Sequence, residues 1–89
     1  MIKSLYATTG DQDGEINLQW DAVNFAYSYV IQLSYAETKK NTWKHIDIVN
    51  DSGYIVKGLK PERTYAFRIA VVGKNGQGAW SEPVTKKTK

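Results

Sequence analysis

Residues 54–81 read YIVKGLKPERTYAFRIAVVGKNGQGAWS, and this stretch decides the fold. Tyr54 and Val56 alternate toward one face, and Leu59-Lys60-Pro61 stops that strand. Tyr65, Phe67, Ile69 and Val71 then mark one face of a second strand at a period of two. The glycine-rich residues 73–78 form a loop suited to positive φ, with Asn75-Gly76 as a strong hairpin dipeptide. The unit is strand, tight corner, strand, hairpin.

The same period runs outward from this unit. Residues 15–21 point Ile16, Leu18 and Trp20 inward and Asn17, Gln19 and Asp21 outward, the pattern of a half-buried strand. Before them, residues 3–8 form a strand with Leu5 and Ala7 inward, and residues 10–14 form a turn rich in side chains that bond their own backbone. After them, residues 27–35 turn Tyr29, Ile31 and Leu33 inward, residues 37–41 make a polar turn, and residues 43–49 turn Ile46 and Ile48 inward. Residues 50–53 turn again, residues 54–57 and 64–72 are the two strands of the opening stretch, and residues 81–88 form the last strand. No window carries a helical apolar stripe. Seven short strands with turn signals between them predict an all-β sandwich or barrel.

All 89 residues read as one small domain, 1–89. A charged fraction of 24% beside 42% hydrophobic residues excludes a disordered tail. There is no cysteine, which excludes disulfides, thiolate nucleophiles and cysteine-based zinc sites. The net charge of +3 owes much to Lys86, Lys87 and Lys89, lysines of the kind that discourage edge pairing. Only two arginines are present, too few for a nucleic-acid face. No apolar run is long enough to insert in a membrane.

These features together resemble a fibronectin type III domain over nearly the whole chain. Trp20 ends the second strand where that family places its core tryptophan, and Tyr29, Ile31 and Leu33 fit the stripe of its strand C. Leu59, Pro61 and Tyr65 match its E–F corner, and the glycine-rich loop before Ser81 and Pro83 matches its F–G region. The resemblance implies an immunoglobulin-like β-sandwich of seven strands, with A, B and E in one sheet and C, C′, F and G in the other. It also implies that Tyr65 sends its hydroxyl back to backbone between residues 59 and 62. The Arg-Gly-Asp of integrin-binding members is absent, since residues 73–78 read GKNGQG. Ala79-Trp80-Ser81 is similar to half of the tryptophan–serine box of cytokine receptor domains; with one such pair, receptor function is not implied.

Candidate chemistry is sparse. Asp11, Asp13 and Glu15 superficially suggest a calcium loop, but the glycine comes too early and strands flank it, so a turn is expected. His45 and Asp47 share one face if the strand is regular, yet no activated serine accompanies them. Asn50-Asp51-Ser52 is a formal glycosylation sequon in a loop. Neither an enzyme nor a cofactor or metal site is expected.

The aromatic residues carry more. Trp20, Tyr29, Tyr54, Tyr65 and Phe67 belong to the core, while Tyr6, Phe25, Tyr27, Trp43 and Trp80 fall on outer faces or loops. Arg68 points outward between Ala66 and Ala70, which leave room for Trp80 to lie over its guanidinium. With Val30 and Val72 they make an apolar outer face, bordered at one end by Phe25, Lys74 and Asn75. Trp80, Arg68, Phe25, Lys74 and Asn75 are the candidate partner-binding residues. The resemblance implies a noncatalytic interaction or spacer module of an extracellular, cell-surface or phage structural protein, monomeric when isolated. Its partner would be a protein or a neighbouring domain. The alternative is a carbohydrate-contacting module attached to a polysaccharide-degrading enzyme.

Overall fold

The structure is a computed structural model that describes residues 2, 4–35 and 43–89; the polar turn expected at 37–41 lies outside them. Eight strands follow in order: β1 (Tyr6–Thr9), β2 (Ile16–Gln19), β3 (Ser28–Tyr35), β4 (Lys44–Val49), β5 (Gly53–Val56), β6 (Thr64–Gly73), β7 (Gly76–Trp80) and β8 (Val84–Lys87). One sheet has the order β1-β2-β5 and the other β4-β3-β6-β7, with β8 also pairing β6. All pairings are antiparallel.

Register explains the layering. In the smaller sheet, Ala7 lies opposite Leu18 and Ile16 opposite Val56, so their side chains share the inner face. In the larger sheet, Tyr29, Ile31 and Leu33 lie opposite Val71, Ile69 and Phe67. These residues form one buried cluster with Trp20, Tyr65 and Ile2. Leu59, at the corner, is partly buried against it. Ile2 lies outside any period-two run and is the core member that the alternation does not reveal.

Three expectations are corrected. The last strand is broken: Ser81 turns inward, its N–H donating to the Ile69 carbonyl at 2.7 Å while its Oγ accepts the Ile69 N–H at 3.0 Å. A side chain thus takes one place in the ladder, and Pro83 follows with no N–H to offer. Seven expected strands become eight because β7 occupies residues 76–80, where a glycine-rich loop is expected over 73–78, and the break at residues 81–83 separates it from β8. Second, Ile48 is 55% exposed. The β3–β4 ladder shifts register between Ile31 and Gln32, so Ile31 faces Asp47 but Gln32 faces His45. Ile46 is the extra residue of this bulge, and Ile48 falls opposite Val30 on the outer face. The Gly73–Gly76 hairpin is also tighter than a loop built on several positive φ values: there only Gly76 takes one, at 100°.

The corner between β5 and β6 holds the two sheets together. Lys60 N–H donates to Tyr65 Oη at 3.0 Å, as the sequence predicts. Thr88, buried just past β8, accepts the Arg63 N–H at 3.0 Å and donates to the Lys60 carbonyl at 2.7 Å. Gly14, with φ of 76°, lies directly beneath: Leu59 N–H donates to its carbonyl at 3.0 Å. Tyr65→Phe removes one hydroxyl and leaves the Lys60 N–H, part-buried at the corner, without this partner. The expected loss is about 1–3 kcal/mol, read as a lower urea midpoint at unchanged slope. An unchanged midpoint would contradict the corner's role.

Candidate interaction face

Strand β6 runs through the middle of the larger sheet, and its inward residues leave Ala66, Arg68, Ala70 and Val72 on the outer side. Arg68 lies opposite Gln32 of β3. Gln32 Oε1 accepts from Arg68 Nε at 3.0 Å and from Nη2 at 2.7 Å. Trp80, at the end of β7, lies opposite Ala70, so a large ring stands beside a methyl group. The Arg68 guanidinium carbon sits 4.2 Å from the Trp80 ring centroid. On its other side it sits 4.3 Å from the ring of Trp43, which immediately precedes β4. Both distances are well inside cation–π range.

The result is a guanidinium stacked between two indoles over a floor of buried alanines, Ala66 and Ala70. Burial lowers the Arg68 pKa from its ordinary value, but a guanidinium remains charged at any working pH. The Trp80–Arg68 contact is the one the sequence suggests. Trp43 is placed on an outer face by its sequence, but nothing there pairs it with Arg68, because that pairing depends on β3 and β4 lying side by side.

Phe25, Lys74 and Asn75 lie elsewhere, at the hairpin end. Lys74 and Asn75 connect the paired residues Gly73 and Gly76. Phe25 is 72% exposed. Its carbonyl lies against Gly73, where a side-chain carbon would come within 3.2 Å of it. With Val23, Val71 and Ala79 these residues line a shallow groove. The five candidate residues therefore form two neighbouring features along β6 and β7 rather than one site.

The remaining candidates separate. The bulge puts His45 beside Gln32 and turns Asp47 the other way, where its Oδ2 accepts from Tyr54 Oη at 3.1 Å. The two do not share a face. Burial, then the hydrogen bond and charge of Asp47, raise the Tyr54 pKa above its ordinary value. Asp11, Asp13 and Glu15 lie in a turn closed by Gly10 N–H to Glu15 O at 2.9 Å. Among the described residues no cluster of His, Asp and Glu could hold a metal ion, and no helix is long and apolar enough to cross a membrane.

Comparison with known proteins agrees with this architecture. The model of the family described as "Fibronectin type III domain" matches residues 3–87. Receptor-type tyrosine-protein phosphatase F of Danio rerio is 35% identical over 74 residues, covering 82% of this chain and 4% of that protein. Tyrosine-protein phosphatase Lar of Drosophila melanogaster is 26% identical over 88 residues, covering 97% of this chain and again 4% of the relative. The chain thus spans a small fraction of the curated relatives it matches. The crystal structure of a Fn3-like protein from Clostridium thermocellum superposes with a TM-score of 0.83 at 19% identity, covering 99% of this chain and 92% of that one.

Proposed function

Because the chain belongs to the fibronectin type III family, we propose that it works as a noncatalytic interaction or spacer module of a cell-surface or extracellular protein. The observation that carries this reading is the stack of Trp43, Arg68 and Trp80 on an open sheet face. Tryptophan and arginine are the residue types that dominate binding hot spots. The side chains that would do hydrolytic chemistry diverge instead, with His45 and Asp47 on opposite faces of β4. A receptor-type phosphatase among the relatives supports a cell-surface setting. The activity in that name belongs to a protein of which this chain matches 4%.

One measurement tests the noncatalytic reading, and a second tests whether the stack itself forms. The purified chain is expected to leave p-nitrophenyl phosphate and p-nitrophenyl acetate unhydrolysed; turnover that co-purifies with it through successive columns would overturn the noncatalytic reading. Trp80→Ala removes one half of the cation–π stack, a contact of about 1 kcal/mol. The expected fall in melting temperature is about 4–8 °C with the fold retained, followed by circular dichroism. A variant that melts with the parent would show that Trp80 does not cover Arg68 in solution.

A further inference from the structure

We propose that the Trp43–Arg68–Trp80 stack is a receptor for a carboxylate side chain presented by an acidic segment of a partner protein. This deepens the reading of the chain as an interaction module and rests on it.

The first argument is the shape of the free fork. A guanidinium offers two edges to a bidentate acceptor: one made by Nε and a terminal nitrogen, the other by the two terminal nitrogens. Gln32 Oε1 occupies the first edge, through Nε and Nη2. The indoles of Trp43 and Trp80 lie 4.3 Å and 4.2 Å from the guanidinium carbon and reach it from opposite directions across the sheet. What remains is the terminal edge, whose donors find no partner among the described residues. Rings and amide together fix the plane of the group, so little side-chain freedom is left to lose when an acceptor arrives.

The second argument is charge. Among the described residues Arg68 forms no ion pair. The outward register positions of β3, β4, β6 and β8 carry no carboxylate; their other titratable groups are His45, opposite Gln32, and Lys87, opposite Thr64. Asp47, the acid of β4, is turned away and bonded to Tyr54. Glu82, two residues past Trp80, is exposed. A partly desolvated, permanent cation is thus held without an acid beside it among the described residues, in a chain of net charge +3. Removing a charge from water is costly unless it is paired, which makes an incoming anion its natural complement.

The third argument is the rim. Trp43, Trp80, Val30 and the exposed Ile48 surround the fork with apolar surface. Such a rim suits a carboxylate carried on an apolar protein segment, whose neighbours would exclude water and strengthen the charged hydrogen bonds. A polyanion would need several cations in a row, and this face does not supply them.

The test uses the whole chain, labelled with nitrogen-15, and follows the indole N–H signals of Trp43 and Trp80 and the Nε–H signal of Arg68. The probes are a blocked peptide alternating leucine and glutamate, its leucine–glutamine counterpart, and inorganic phosphate. The glutamate peptide is expected to shift all three signals saturably. The glutamine peptide should bind at least about tenfold more weakly, and phosphate should give no saturable shift. Equal binding of the glutamine peptide, equal binding of phosphate, or no saturable shift with any probe would each overturn the proposal. Gln32→Glu places a carboxylate against the same guanidinium from within the chain. It should raise the melting temperature and abolish the peptide response; undiminished binding would overturn the proposal. Shifts confined to backbone amides of residues 73–78 would move the binding site to the Phe25 groove. That outcome sinks the carboxylate receptor and leaves the interaction-module reading standing.

Discussion

Trp20→Ala is expected to bring the domain close to unfolding at room temperature. Trp20 is 4% exposed, and its ring meets that of Tyr29 edge-on, with centroids 5.3 Å apart. Its backbone N–H donates to the Ser52 carbonyl at 3.0 Å, so the ring sits where the end of β2 is pinned to the turn before β5. Truncating a buried tryptophan costs about 3–5 kcal/mol in lost burial and in the cavity left behind. Small domains hold only about 5–15 kcal/mol in total. The melting temperature should fall by more than about 15 °C, measured by circular dichroism because the variant loses a fluorophore. Trp20→Phe is the informative companion. The Trp20 Nε1 is buried and finds no hydrogen-bond partner among the described residues, and phenylalanine removes that donor while keeping most of the ring. It should lose much less than half as much stability. A loss from Trp20→Ala below about 1 kcal/mol would mean that the ring is not packed between the sheets.

The second large effect is expected where two segments of backbone meet. Gly14 has φ of 76°, and a side-chain carbon built there would lie 2.3 Å from the Leu59 carbonyl oxygen. That neighbour is backbone, and it belongs to the corner that Tyr65 and Thr88 also hold, so it cannot step aside cheaply. Gly14→Ala adds a left-handed penalty of about 1–2 kcal/mol to an overpacking penalty of about 1–3 kcal/mol. Gly58 supplies the control, since its φ of 75° is nearly the same but nothing lies within 4 Å of the added carbon. Gly58→Ala should cost about 1–2 kcal/mol. The difference between the two urea midpoints isolates the steric contact, and equal losses would show that the turn does not press on the corner.

The parts of the fold that the sequence reveals are those governed by local rules. Strands β2, β3 and β6 bury one face each, so their period of two survives in the letters. The corner is readable because a proline and a tyrosine mark its two sides. The bulge in β4 is not readable, since it arises from how His45 and Asp47 meet β3, and nothing nearby in sequence encodes a partner strand. For the same reason Ile48 looks like a core residue and is not one. The break before β8 did leave a signal, because Pro83 cannot serve inside a hydrogen-bonded strand; what it could not show is that the Ser81 hydroxyl stands in for the missing rung. The candidate face divides along similar lines. Arg68 and Trp80 lie one strand apart across a short hairpin, and their meeting follows from β6 alternation. Trp43 comes to them only through two further registers.

The placement of Thr88 has a mechanical consequence. Ser4 Oγ accepts the Asp21 N–H at 2.8 Å, which sets the start of β1 beside the end of β2 and the hairpin pole. Thr88 is bonded to Lys60 and Arg63 at the opposite pole. The molecule is 38 Å along its longest axis. Tension applied through the first and last strands therefore runs nearly along the strands and loads the four β6–β8 rungs in shear, all at once. Thr88 acts as a latch behind them: its hydroxyl holds Lys60 and Arg63, its N–H donates to the Arg63 carbonyl at 2.9 Å, and these contacts must be released before the rungs unzip from the chain end.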